Sequence, residues 1–123
     1  MEINELVKLA HENAENHGFY EKKPEIASLL MLIVTELSEA CEADRKNKHT
    51  NKNGLDHYLM DSISVLNYEF FEAKIKDTFE DELADAVIRI FDLAGYCGID
   101  LDAHIQAKML YNKSRPYKHG KHY

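Results

Sequence analysis

Apolar residues recur along most of this chain at the three- and four-residue spacing of a helix, and nowhere alternate with polar ones as in a half-buried strand. Ile3, Leu6, Val7, Ala10 and Ala14 predict a first helix over about residues 2 to 17, stopped at Gly18. Pro24 suits a first helical turn, and a second helix follows to about Arg45 with Ile26, Leu29, Leu30, Ile33, Leu37, Ala40 and Cys41 on one stripe. Met31, Leu32 and Val34 fall outside that stripe, so this helix is apolar nearly all round and is a candidate subunit interface. Lys46 to Gly54 reads as a loop. The stretch Leu55 to Ile75, with Tyr58, Leu59, Ile63, Val65, Leu66, Tyr68, Phe70 and Phe71, reads as one or two helices whose aromatics are core or cover. A further helix is expected from Asp77 to Tyr96, capped by Thr78 or Asp77 and closed by Gly95 or Gly98, with a stripe of Leu83, Val87, Ile90 and Ala94. The last runs from a cap at Asp100 to about Lys113, ended by Pro116. The pattern predicts an all-α fold.

Composition narrows the class. With 123 residues, 45% apolar, two prolines and five glycines, the chain reads as one domain over residues 1–123 with room for a core. No apolar run approaches the roughly 20 residues that cross a bilayer, and the first five residues are acidic, so a soluble cytoplasmic protein without a membrane partner is expected. Cys41 and Cys97 fall on apolar helical faces, which suits reduced thiols. Net charge is −7, yet after Asp102 there is no acid, and Lys108, Lys113, Arg115, Lys118 and Lys121 leave the preceding part at −12. An acidic body disfavours nucleic acid, while a basic end suits a polyphosphate. Lys108 and Asn112 lie one turn apart on one helical face, and Arg115 continues that edge.

Two carboxylate pairs stand out, Glu36 with Glu39 and Glu82 with Asp85, each three residues apart inside an apolar helical pattern. Dehydrated acids side by side repel one another and persist with a compensating cation. At about 100° per residue each pair lies to the same rotational side of its stripe, so a four-acid site requires the two helices to be antiparallel neighbours. Four acids with no histidine or cysteine nearby fit Mg²⁺, with Mn²⁺ as the alternative, better than zinc. A di-iron bundle would need Glu-x-x-His pairs, and there are none. His11-Glu12-x-x-Glu15 lacks the second histidine of a zinc helix and reads as a surface face.

Thr35-Glu36-Leu37-Ser38-Glu39-Ala40, Asp81-Glu82-Leu83-Ala84-Asp85-Ala86 and the ending Lys108-x-x-x-Asn112-Lys113-x-Arg115-Pro116-Tyr117-Lys118-His119-Gly120 together resemble the MazG-like all-α nucleoside triphosphate pyrophosphohydrolases. The resemblance implies a bundle of four or five helices, with the antiparallel acid-bearing pair at its centre, completed as a homodimer or homotetramer. It implies Mg²⁺-dependent cleavage of a nucleoside triphosphate between the α and β phosphates. Glu36, Glu39, Glu82 and Asp85 would be the metal ligands, Glu39 by preference (or Glu36) the catalytic base, and Lys108, Asn112 and Arg115 the phosphate or nucleotide contacts. Phe19, Tyr20, Tyr68 and Phe70 all have rings able to stack on a base. The chain departs from the family in the 42 residues between Glu39 and Glu82, which leave about 46–76 as an extra helical segment. A relative that binds nucleotides or a partner protein without turnover would keep the same fold.

Overall fold

A computed structural model describes residues 2–60 and 66–122, and every regular element among them is helical. The order is α1 (Ile3–Asn16), α2 (Ile26–Arg45), α3 (Lys52–Met60), α4 (Leu66–Lys74), α5 (Phe79–Tyr96) and α6 (Leu101–Ser114), then a 3₁₀ turn at Tyr117–Gly120. Among the described residues there are six α-helices against the expected bundle of four or five, and the stretch read as one or two helices contributes to both α3 and α4. Ile63 and Val65 lie outside the described residues, as does the side chain of Leu66.

Helix ends follow local chemistry. Gly18 takes φ +85°, and the Phe19 amide reaches back to the Ala14 carbonyl, a left-handed stop that favours glycine. Pro24 is not in the first turn of α2, for the cap is Glu25 in extended conformation. The 46–54 loop is shorter than expected. Asn51 Oδ1 accepts from the Asn53 and Gly54 amides, which starts α3 and places Gly54 inside it. Thr78 Oγ1 accepts from the Asp81 amide and Asp81 Oδ2 accepts from the Asp77 amide, so the reciprocal cap of α5 uses both candidate positions. Asp100 accepts from the Ala103 amide at 3.1 Å and caps α6.

The chain divides into two compact units, one of Met1–Lys23 with Phe91–Tyr123 and one of Pro24–Ile90. In the first, Val7 and Ala94 are buried where α1 crosses the end of α5. Gly95 makes that crossing possible, since a Cβ there would stand 2.7 Å from His11 Cβ. Asn4 joins α1 to the start of α6 by donating to Asp100 Oδ1 and accepting from the Asp102 amide. His11 is not a surface residue. Its Nδ1 and the Tyr20 hydroxyl both donate to Asp92 Oδ1, at 2.9 and 2.8 Å, and Tyr20 packs between His11 and Tyr96. Because a carboxylate only accepts, the His11 proton sits on Nδ1.

In the second unit, the Phe79 amide donates to the Lys48 carbonyl at 2.9 Å and Arg89 Nε donates to Glu36 Oε1 at 2.8 Å. Thr50 Oγ1 lies 2.6 Å from Thr78 Oγ1. The buried positions of α2 are Ile33, Glu36, Ala40 and Ala43, and Glu82 and Ala86 are buried on α5. The face turned inward thus keeps Ile33 and Ala40 of the expected apolar stripe but is rotated toward the acid-bearing side, where Ala40 and Ala43 admit close approach. Ile26, Leu30 and Leu37 are about half exposed at 49–51%, with Leu83, Val87 and Ile90 at 40–44%. Met31 and Val34 are exposed as well. Cys41 and Cys97 are free and exposed, off the inward faces to which the apolar pattern assigned them. Among the described residues no helix is long and apolar enough to cross a membrane.

Candidate metal centre

The acid site forms because two i, i+3 pairs ride on facing helices. Carboxylate oxygens of Glu36, Glu82 and Asp85 lie within 4.8 Å of one another. Glu36 is 8% exposed and Glu82 only 4%, so both have lost most of their water. Glu39 is at the exposed rim, and its carboxyl is in hydrogen-bonding reach of both Glu36 and Glu82.

Each acid feels a different balance. Burial, then the neighbouring Glu36 and Glu39, pushes the Glu82 carboxyl up to about 8. Burial, with Asp81 and Glu36 beside it, raises Asp85 to about 6. Burial also works against a charged Glu36, but hydrogen bonds from Arg89 and the adjoining carboxyls outweigh it and hold Glu36 below the ordinary range. Arg89 is therefore a built-in cation for one of the three acids, and sequence reasoning missed it. A signal was available, since Arg89 follows Asp85 by four residues and Glu82 by seven, on one face of α5.

A buried oxygen remains over. Among the described residues Glu82 Oε2 has no hydrogen-bond partner. Orphaned buried carboxylate oxygens are costly, and a divalent cation is the chemistry that satisfies one. Magnesium holds its ligands at about 2.0–2.1 Å in an octahedron, so adjacent ligands stand ~3 Å apart, and carboxylates already within 4.8 Å of one another close in further when they share an ion. The donor set is all oxygen and fits a hard cation. Asp77 and Asp81 form a second group with Glu82 that also lies within 4.8 Å, on the side of the α5 cap.

The basic end belongs to the other unit. Lys108 Nζ and Arg115 Cζ both sit over the Tyr111 ring, 5.1 and 5.3 Å from its centre, so the face expected from their spacing gathers on one aromatic. Asn112, one turn after Lys108, has a buried Oδ1 with no partner among the described residues. Phe19 is 73% exposed, with a ring free to stack. Tyr20 is half-buried, its ring and hydroxyl engaged by His11, Tyr96 and Asp92, and burial together with Asp92 raises its pKa above the usual phenol. Asp92 and Tyr111 organise these clusters and carried no sequence signal, because their partners are set by tertiary contact or by aromatic spacing too common to be informative. Compared with family models, with curated proteins and with solved structures, the chain matches none.

Proposed function

We propose that this protein is a Mg²⁺-dependent nucleoside triphosphate pyrophosphohydrolase of the MazG-like kind, releasing the nucleoside monophosphate and pyrophosphate. The observation that carries the reading is the trio of buried Glu36 and Glu82 with half-buried Asp85, and the unsatisfied Glu82 oxygen. These three residues, with Glu39 as the fourth ligand, would hold the ion, and Mn²⁺ would serve in its place. When bound, it offsets polyphosphate charge and acidifies water. Glu39, at the exposed rim, accepts the proton as a water oxygen attacks phosphorus and the α–β anhydride bond breaks. Arg89 holds the Glu36 carboxylate in place. Lys108 and Arg115 are assigned to the charge on the leaving pyrophosphate, with Asn112 as a further substrate contact.

The same reading includes a helical bundle completed by a second copy, as a dimer or a tetramer. Contacts to α5 from α2 and from the connection that follows it run in opposite chain order, 36 with 89 and 48 with 79, in keeping with an antiparallel pair. The exposed Met31, Leu32 and Val34 on α2 are the surface that a partner copy would cover. A panel of canonical and damaged triphosphates, with pyrophosphate and orthophosphate measured separately, tests the activity. Magnesium-dependent pyrophosphate release that Glu82→Gln abolishes supports it. Orthophosphate alone, or turnover indifferent to Glu82→Gln, refutes it.

A further inference from the structure

A cleft of about 390 Å³ opens between residues 49–55 and 70–75, walled by Leu55, Phe70 and Ile75, with His49, Thr50, Asn51 and Lys74 as polar members. Its volume is that of a small-molecule site, and its make-up, an apolar wall with a few polar groups, is the usual one. Phe70 and Lys74 are four residues apart on α4 and so share a helical face. Lys74 has no ionic partner among the described residues. Asn51 spends Oδ1 on the α3 cap, which leaves both Nδ2 hydrogens spare. Elsewhere on the rim the donor protons are already used, and the Thr50 hydroxyl keeps only its oxygen lone pairs. His49 lies between Glu80 and Asp44, and Thr78 gives its proton to the Ile75 carbonyl, so the Thr50 hydroxyl must donate to Thr78. The spare side-chain hydrogen-bonding groups of Asn51 and Lys74 are therefore donors.

The cleft also adjoins the acid trio. Thr50 and Ile75, both in its wall, bond to Thr78, and the Thr78 carbonyl accepts from the Glu82 amide one helical turn on, a rise of about 5.4 Å. An aromatic face, an aliphatic floor and donor groups within reach of a polyphosphate-binding centre suit a planar heterocycle bearing carbonyl oxygens. We infer that the cleft between residues 49–55 and 70–75 binds the base of the nucleotide and prefers keto bases to adenine, with Phe70 stacking on the ring and Asn51 and Lys74 donating to its carbonyls. The choice of a nucleotide rests on the hydrolase reading. The cleft and its donors do not.

Binding of UMP, GMP, AMP and ribose 5-phosphate to the whole chain in Mg²⁺, by calorimetry with amide shifts at Gly54 and Ile75 as the positional readout, tests this. UMP or GMP should bind at least roughly tenfold more tightly than ribose 5-phosphate, the scale of one base–aromatic contact, and more tightly than AMP. Phe70→Leu keeps apolar volume and should remove most of that advantage without changing ribose 5-phosphate affinity, and Lys74→Gln should narrow the gap to AMP. If AMP binds as well as UMP and GMP, if Phe70→Leu stays within twofold of wild type, or if the shifts fall elsewhere, the cleft is not the base site. Keto-selective binding without any triphosphate turnover would sink the hydrolase and keep the cleft. Turnover lost in Glu82→Gln with KM unmoved in Phe70→Leu would do the reverse.

Discussion

Replacing Glu82 by glutamine should make the metal-free protein more stable while ending its metal response. In the folded chain the Glu82 carboxyl titrates near about 8, against 4.5 for an unperturbed glutamate. A raised acid pKa means that the folded state holds the proton more tightly than the unfolded one. Stability therefore falls as pH climbs from the unfolded value through the folded value, and the loss is complete above it. At ~1.4 kcal/mol per unit the ceiling is ~5 kcal/mol, and sharing of the proton with Glu36 lowers the working figure to about 2–3 kcal/mol. Glutamine has the same shape, does not titrate, and can donate to Glu36. The gap between variant and wild type should open from near zero at about pH 4.5 to its full size above pH 8, which for a chain of this length is roughly 6–15 °C in Tm. Thermal melts by circular dichroism in chelator, repeated across that range and again with Mg²⁺, read this directly. Added magnesium should raise the wild type and leave Glu82→Gln unmoved. A gap independent of pH, or a variant less stable than wild type throughout, would show that the carboxylate is a structural acceptor and that the strain argued for this site does not exist.

Glu36→Gln should lack that benefit, because it also weakens the 2.8 Å contact from Arg89, and its chelator melt should fall at or below wild type. Gly95→Ala should cost about 1–3 kcal/mol by chemical denaturation, since the new methyl meets His11 Cβ at 2.7 Å and α1 must move. Lys108→Ala and Arg115→Ala should each weaken triphosphate binding or turnover by at least ~10-fold, the scale of one charge-assisted contact, with dichroism to confirm folding. Wild-type kinetics in both would remove the basic end from the site. Light scattering at micromolar concentration should show a particle heavier than 14.2 kDa, and a clean monomer would refute a partner copy on the exposed α2 surface.

Most of the helix plan was legible because periodicity and capping chemistry are local. Thr78, Asp100 and Gly18 announce their roles within four residues of themselves. The acid trio was legible for the same reason, as i, i+3 spacing puts each pair on one face. What periodicity cannot say is which apolar face meets which partner. Leu30 and Leu37 share the apolar stripe of α2 with Ile33 and Ala40, yet they are half exposed, and the inward face runs through Ile33, Glu36, Ala40 and Ala43. His11 shows the limit more sharply. Nothing near it in sequence distinguishes a surface histidine from one bound to a carboxylate 81 residues away. Asn51 was hidden differently, for a polar residue in a loop becomes a helix cap only when the following residues turn.

The joining of α1 to Asp92, Gly95 and Asp100 has a consequence for how the molecule is made. One compact unit is assembled from the two ends of the chain, Met1–Lys23 and Phe91–Tyr123. During synthesis α1 emerges first, and its partners follow only after the whole intervening unit has been translated, several seconds later at about 5–20 residues per second. Until then Val7 and the His11 face have nothing to dock on, and closing so long a loop is the step that non-local contacts make slow. The Pro24–Ile90 unit meets no such delay, so the acid-bearing helices can pair before the amino-terminal helix finds its place.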